Sequence, residues 1–403
     1  MASASDGPAD AAGLLSAAAV RTRCALVLAA AERGATPHFR VVPDRLDIAA
    51  ERVASVTRRR YPALDIPLHS RWRHFAAGGI ERAGLVAPGA DRAEAARSRI
   101  DLAVVSVLLD AGAGPGWRFR EAETGLVLAR SEGLAVASLR AMQSGLFSHD
   151  RASPWRADAE ALTALAAARL AAAFQHGPGN ELAGFAGRVA LLNRLGEAVA
   201  AAPEFFGRPG RLGNLYDHWR AAGTAIGAPA LLATVLQALG PIWPGRIAVG
   251  GINLGDCWRH PAVPGDGLVP FHKLSQWLAY SLIEPIEAAG LEVGDLDGLT
   301  GLAEYRNGGL FLDCGVIEPR DPDLLRQVHH PFAEPVVEWR ALTVALLDRL
   351  LPPVRRRLGL AAPAFPLAKL LEGGSWAAGR EIAAKRRPGG VPPLAVASDG
   401  TLF

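Results

Sequence analysis

Glu304, Tyr305 and Arg306 close a short run that begins at Leu299. His272, Lys273 and Gln276 open an apolar helical pattern, and Asp256, Trp258, Arg259 and His260 stand among glycines and prolines. No other stretch as long as 250–309 combines so many polar, ionisable and aromatic side chains with so apolar a frame. Loops on a rigid scaffold are where binding and catalytic groups usually sit; the plain alternative is that these residues are caps, turns and core hydrogen bonds. A carboxylate flanked by Tyr and Arg suits the stabilisation of an oxocarbenium-like centre, as in glycoside cleavage. Glu304 and Asp256 are the leading carboxylates, with Asp266 and Asp313 near them in sequence, and Lys273 suits fixing a hydroxyl or a leaving group. Other chemistries have less to work with. There is no HExxH, no HxH and no set of acids and histidines at ligand spacing, so no metal is expected. GxSxG is absent too. Cys257 and Cys314 are available as nucleophiles, although a buried free cysteine is usually inert packing.

A second group of functional residue types lies in YPALDIPLHSRWRHF, Tyr61 to Phe75. Its second half packs His69, Ser70, Arg71, Trp72, Arg73 and His74 together, a set able to hold a phosphate or carboxylate, for which the guanidinium fork is well suited. The alternative is a solvated basic turn anchored by Trp72. Phe147, in the turn GLFSHD, suits stacking on a base or sugar, or plugging the core.

The elements that must position these groups are mostly helical. The chain has 403 residues, half of them hydrophobic and 21% charged, enough for a large core and for two closely packed subdomains. Helical patterns run over 11–33, 44–58, 91–109, 131–142, 157–175, 181–201, 231–239, 321–328 and 336–351, the last stopped by Pro352 and Pro353. The expected architecture is mainly α (α+β), a large helical domain with a few short strands. Residues 1–10 are expected to be disordered. Residues 11–210 are expected to form an N-terminal helical subdomain, and 211–403 a C-terminal one carrying most of the site. The tail is expected to form a strand or clasp, LAVA, followed by a turn at Ser398, Asp399 and Gly400.

Charge and cysteine usage narrow the function further. A net charge of +3, with arginines scattered rather than clustered, offers no stripe for nucleic acid but suits a small anionic ligand. Three cysteines without CxxC spacing point to a reducing compartment, the cytoplasm. The N-terminal residues lack the basic and apolar regions of a secretory signal. The uncharged run 221–245 is broken by Pro and Gly at both ends, so a buried helix is expected there rather than a membrane span. GAGPG, Gly112 to Gly116, lacks the strand, helix and distal acid of a dinucleotide site.

Several long motifs carry a family likeness. YPALDIPLHSRWRHF, SVLLDAGAGPGW, GLFSHD, GDGLVPFHKLSQWLAYSLIEPIE, GGSWAAGR and SDGTLF resemble the uracil-catabolism family of the non-reductive, urea-releasing pathway, from about Ala12 to Phe403. The C-terminal half is more distantly similar to queuosine-nucleotide N-glycosylases. That family carries a helical Lys-x-x-Gln, matched by Lys273 and Gln276, and a Leu-Thr-x-x-Ala-Asp-Tyr-Arg motif about thirty residues further on, here LTGLAEYR, Leu299 to Arg306. Its catalytic Asp falls on Glu304, one methylene longer.

Together the resemblances imply an N-glycosidase without a cofactor. It would cleave a ribosylurea, 5'-phosphorylated or not, to urea and the sugar, on a queuosine-salvage-like fold. Glu304 would stabilise C1' or activate water, and Lys273 and Asp256 would orient ribose hydroxyls or urea. Trp258, Tyr305 and Phe147 would wall the pocket, with His272, Gln276 and Arg306 beside it, and Arg71, Arg73 and His74 would hold the phosphate. Two other readings stay open: an amidohydrolase acting on the ureido group through Cys257, and a non-catalytic protein that binds a nucleotide or a partner enzyme.

Overall fold

The computed structural model describes residues 11–243 and 246–397; residues 1–10 and the turn expected at Ser398–Gly400 lie outside them. The described chain is mainly helical, and its strands form only short two-stranded ribbons, as expected. It divides into two compact units. One comprises residues 11–69, 246–276 and 295–397; the other comprises 70–243 and 277–294. No change of unit falls near residue 210, where the sequence reading places one, because each unit is assembled from segments distant in the chain.

In the first unit the helices Ala17–Glu32 and Leu46–Arg60 pack on the long helix Glu334–Leu358. Ser16 interrupts the helix expected over 11–33: its hydroxyl accepts the Ala19 amide at 3.2 Å, which starts a new helix after the short turn Ala11–Leu14. The long helix departs most from expectation. It runs through Pro352 and Pro353 to Leu358. Prolines remove amide donors and ordinarily break a helix. Here Leu350, Leu351, Val354 and Leu358 lie buried on both sides of the pair, so apolar burial holds the continuation. Two ribbons matter for the site. Cys257–Arg259 pairs antiparallel with Leu268–Pro270, so the segment expected as a loop is partly a hairpin. Ala395–Val396 pairs parallel with Val328–His329, the strand expected in LAVA.

In the second unit the helix Arg92–Leu108 begins where Asp91 accepts the Glu94 amide at 2.8 Å. It ends on Arg188, which donates to the carbonyls of Leu109, Ala111 and Gly112. GAGPG is therefore a loop held by a buried arginine. The single helix expected over 157–175 is two, Ala159–Thr163 and Ala167–Ala173. The Asn193 amide satisfies the carbonyls at the break, donating to Leu162 at 2.9 Å and Thr163 at 3.1 Å. The uncharged run contains the helix Ala228–Leu239, and among the described residues no helix is long and apolar enough to cross a membrane.

Candidate active site

The focal residues assemble within the first unit, around the start of the helix Lys273–Ala288. Asp256 directs the entry. Its carbonyl accepts the Phe271 amide at 2.9 Å, and its carboxylate accepts the Lys273 amide at 3.1 Å, a capping contact from the bend that precedes the strand Cys257–Arg259. Arg340, from the long helix, grips the same carboxylate with two hydrogen bonds of 2.8 Å, and the Trp258 indole donates a third at 2.8 Å. Arg340 also lies over the Phe271 ring, 4.1 Å from its centroid. Burial opposes ionisation of Asp256, but the charge and hydrogen bonds of Arg340, with those of Trp258 and Lys273, outweigh it and hold the carboxyl well below the usual range. Arg340 thus neutralises the carboxylate where it stands, so Asp256 is built as an anchor rather than as a ligand for ribose or urea.

Glu304 is built differently. It stands as the N-cap of the helix Tyr305–Asp313, a helix the sequence reading leaves out. One carboxylate oxygen accepts the Arg306 amide at 2.7 Å and the other the Asn307 amide at 2.5 Å. The extra methylene over Asp therefore still reaches both orphan donors. Burial raises its pKa, against the pull of those two amides and of the positive charges of Lys273 and Arg306. The helix N-terminus favours its charged form.

Gln276 joins the two halves of the site. Its amide donates to Thr300 Oγ1 at 2.6 Å and accepts the Thr300 amide at 2.9 Å. The Lys-x-x-Gln turn and the LTGLAEYR run are thereby stitched side by side, with Lys273 acting electrostatically on Glu304.

The neighbours serve as frame. His272 adopts a left-handed backbone, φ +48°, and its Nε2 donates to the Leu14 carbonyl at 2.9 Å; burial pushes its pKa down. Arg306 lies over the Tyr305 ring and donates to the Gly390 carbonyl at 2.7 Å, tying the site to the C-terminal segment. Tyr305 is half-buried and Trp258 buried. Asp266 and Asp313 are engaged by Arg23 and Arg387. Cys257 is fully buried, and burial, with Asp256 and Asp266 nearby, pushes its thiol up to about 12.

The chain matches, over residues 13–403, a family described as "Protein of unknown function (DUF1688)". It belongs to this family. The protein named "Protein urg3" of Schizosaccharomyces pombe is 40% identical over 97% of this chain and 98% of its own length. "Uracil catabolism protein 4" of Lachancea kluyveri is 37% identical over 91% of this chain and 92% of its own. The likeness read from the long motifs therefore holds along nearly the whole chain.

The remaining expected site residues belong to the second unit. Arg71 is fully buried, with Asp110 at 2.8 Å and Ser106 at 2.7 Å. Arg73 pairs with Glu284. His74 meets the Trp277 ring edge-on at 5.7 Å. Phe147 is fully buried, the core plug of its two readings. Sequence reasoning missed Arg340, Thr300 and the cap made by Glu304. The available signal for Arg340 was a lone Arg in the apolar run 336–347, which needs a buried acid to pair with.

Proposed function

We propose that this protein acts in uracil catabolism as an N-glycosidase, hydrolysing the bond between ribose C1' and the ureido nitrogen of a ribosylurea, preferably the 5'-phosphate. The observation that carries this reading is the Gln276–Thr300 stitch, which joins the first turn of the helix begun by Lys273 to the run that ends at Glu304. The two segments similar to queuosine-nucleotide N-glycosylases are thus hydrogen-bonded to each other, and a relative of this chain is named for uracil catabolism. Glu304 faces the developing positive charge at C1', held rigid by two backbone amides. Lys273 orients the ureido oxygen or a ribose hydroxyl. Pre-organised charge of this kind supplies much of an enzyme's rate.

The test is incubation of purified protein with ribosylurea and with its 5'-phosphate, following urea and free sugar by mass spectrometry. Urea with ribose 5-phosphate is the expected outcome. Ammonia without urea would turn the assignment to an amidohydrolase, a reading that the buried, poorly ionised thiol of Cys257 disfavours. Tight binding without turnover would leave a binding protein.

A further inference from the structure

A cavity of about 490 Å³ lies in the first unit, apart from the site described so far. It stands at the opposite end of the helix Tyr305–Asp313 from Glu304, nine residues or about 13 Å along the axis. Its walls come from three stretches: Arg45, residues of 312–325, and residues of 386–393. Its size is that of a small-molecule pocket. Gly315 helps to leave the space. It turns the chain out of the helix with φ +71°, and a Cβ there would stand 4.0 Å from Arg45 Nη1 and 3.8 Å from Glu318 Oε1. The floor therefore has no side chain of its own, and Arg45 and Glu318 flank it.

Charge on these walls does not balance. Arg387 and Asp313 cancel each other through two hydrogen bonds, of 2.8 and 2.5 Å. Glu318 accepts from Arg40 at 2.7 Å. Two guanidinium groups are left in surplus. Arg386 is more than half exposed and reaches only the same Asp313, at 4.0 Å. Arg45 is exposed, and its guanidinium engages no acid among the described residues. Two such forks on one hollow suit an oxyanion with several acceptor atoms, phosphate above all. Much of the remaining wall is apolar: Leu312, Leu325 and Pro393 are half-buried, and Ile317 is buried. A bare phosphate would leave that wall and most of the volume unused, whereas a phosphate ester with a flat, largely apolar body would use both.

We propose that this cavity binds a nucleoside monophosphate, with the phosphate held by Arg45 and Arg386 and the base against Leu312, Ile317 and Leu325. Glu318 is the acceptor for a ribose hydroxyl. The cavity is separate from the glycosidic chemistry proposed above and binds its ligand whether or not that reading holds.

Binding of uridine 5'-monophosphate, adenosine 5'-monophosphate and inorganic phosphate is measured by calorimetry on the full chain, for the wild type, Arg45→Ala and Arg386→Ala, with melting curves for each. At least one nucleotide is expected to bind the wild type, and each variant to lose about tenfold or more in affinity for it. Inorganic phosphate is expected to bind more weakly than that nucleotide. Hydrogen exchange of the wild type should show protection by the nucleotide in 312–319 and 386–393. Absence of nucleotide binding, or undiminished binding in either folded variant, overturns the inference. Protection confined to the residues around Lys273 and Glu304 overturns it too, because the nucleotide then occupies the candidate active site. Inorganic phosphate binding as tightly as either nucleotide overturns the choice of a nucleoside ester. Should a variant not fold, the exchange pattern of the wild type decides.

Discussion

Asp256 and Glu304 are both buried carboxylates, each at the first turn of a helix, yet they are held in opposite ways. Asp256 is clamped by a bidentate arginine, an indole and an amide, and is driven to the ionised form. Glu304 is held by two backbone amides, and burial lifts its pKa. A carboxylate neutralised by a buried arginine has its field cancelled at source and can do little to a substrate. One held by neutral amides keeps its field directed outward. The contrast fits an architectural role for the first and, under the proposed function, a chemical role for the second.

The sharpest way to break this contrast is Glu304→Gln. Turnover of the ribosylurea should fall by about 10²–10⁴-fold, with the folded state retained in circular dichroism. Near-normal turnover would remove Glu304 from the chemistry. Asp256→Ala should act on the fold instead. Leaving Arg340 buried without its partner should cost about 3–5 kcal/mol in denaturant unfolding, and a variant as stable as the wild type would contradict the anchor role. Thr300→Val removes the hydroxyl half of the stitch, leaving the backbone bond, and takes away the acceptor that the Gln276 amide group donates to. A loss of about 1–3 kcal/mol is expected from the same measurement.

The pH dependence sharpens the comparison, because the signs are opposite. The folded pKa of Asp256 is depressed, so its contribution to stability is present above the ordinary aspartate value and lost as pH falls below it. The folded pKa of Glu304 is raised, so its contribution is present below the ordinary glutamate value and lost as pH rises through the folded one. Unfolding free energies of Asp256→Asn and Glu304→Gln, each compared with the wild type across acidic pH, should drift in opposite directions; parallel drifts would erase the distinction. The smallest effect is expected for Arg73→Ala. Its half-exposed pair with Glu284 should contribute at most about 1 kcal/mol. A selective slowing of the phosphorylated substrate would instead give Arg73 the phosphate-reading role expected from its sequence.

Much of this contrast was legible in the residues. The Lys273–Gln276 turn and Glu304 stood out because polar groups interrupted an apolar pattern. The helix after Glu304 did not, because its cap is a glutamate, whereas Ser, Thr, Asp and Asn are the usual N-cap signals. Arg340 was hidden for the opposite reason: it sits among apolar residues, and its partner is 84 positions away. The prolines at 352 and 353 misled because a local rule ignores the burial on either side of them. Arg71 read as an anion clamp because spacing reports which groups cluster, while Asp110, which engages it, comes from another segment.

The unit that carries Glu304 is woven from three stretches of chain, and Arg306 within it is tied to the Gly390 carbonyl. A ribosome making this protein therefore cannot complete the site until nearly the last residues have emerged. Loop closures of this length slow folding, and a chain stopped before residue 390 would leave the Arg306 guanidinium without that acceptor. Nascent chains of this protein should thus gain activity abruptly near the end of synthesis, and no contiguous fragment should carry the chemistry alone.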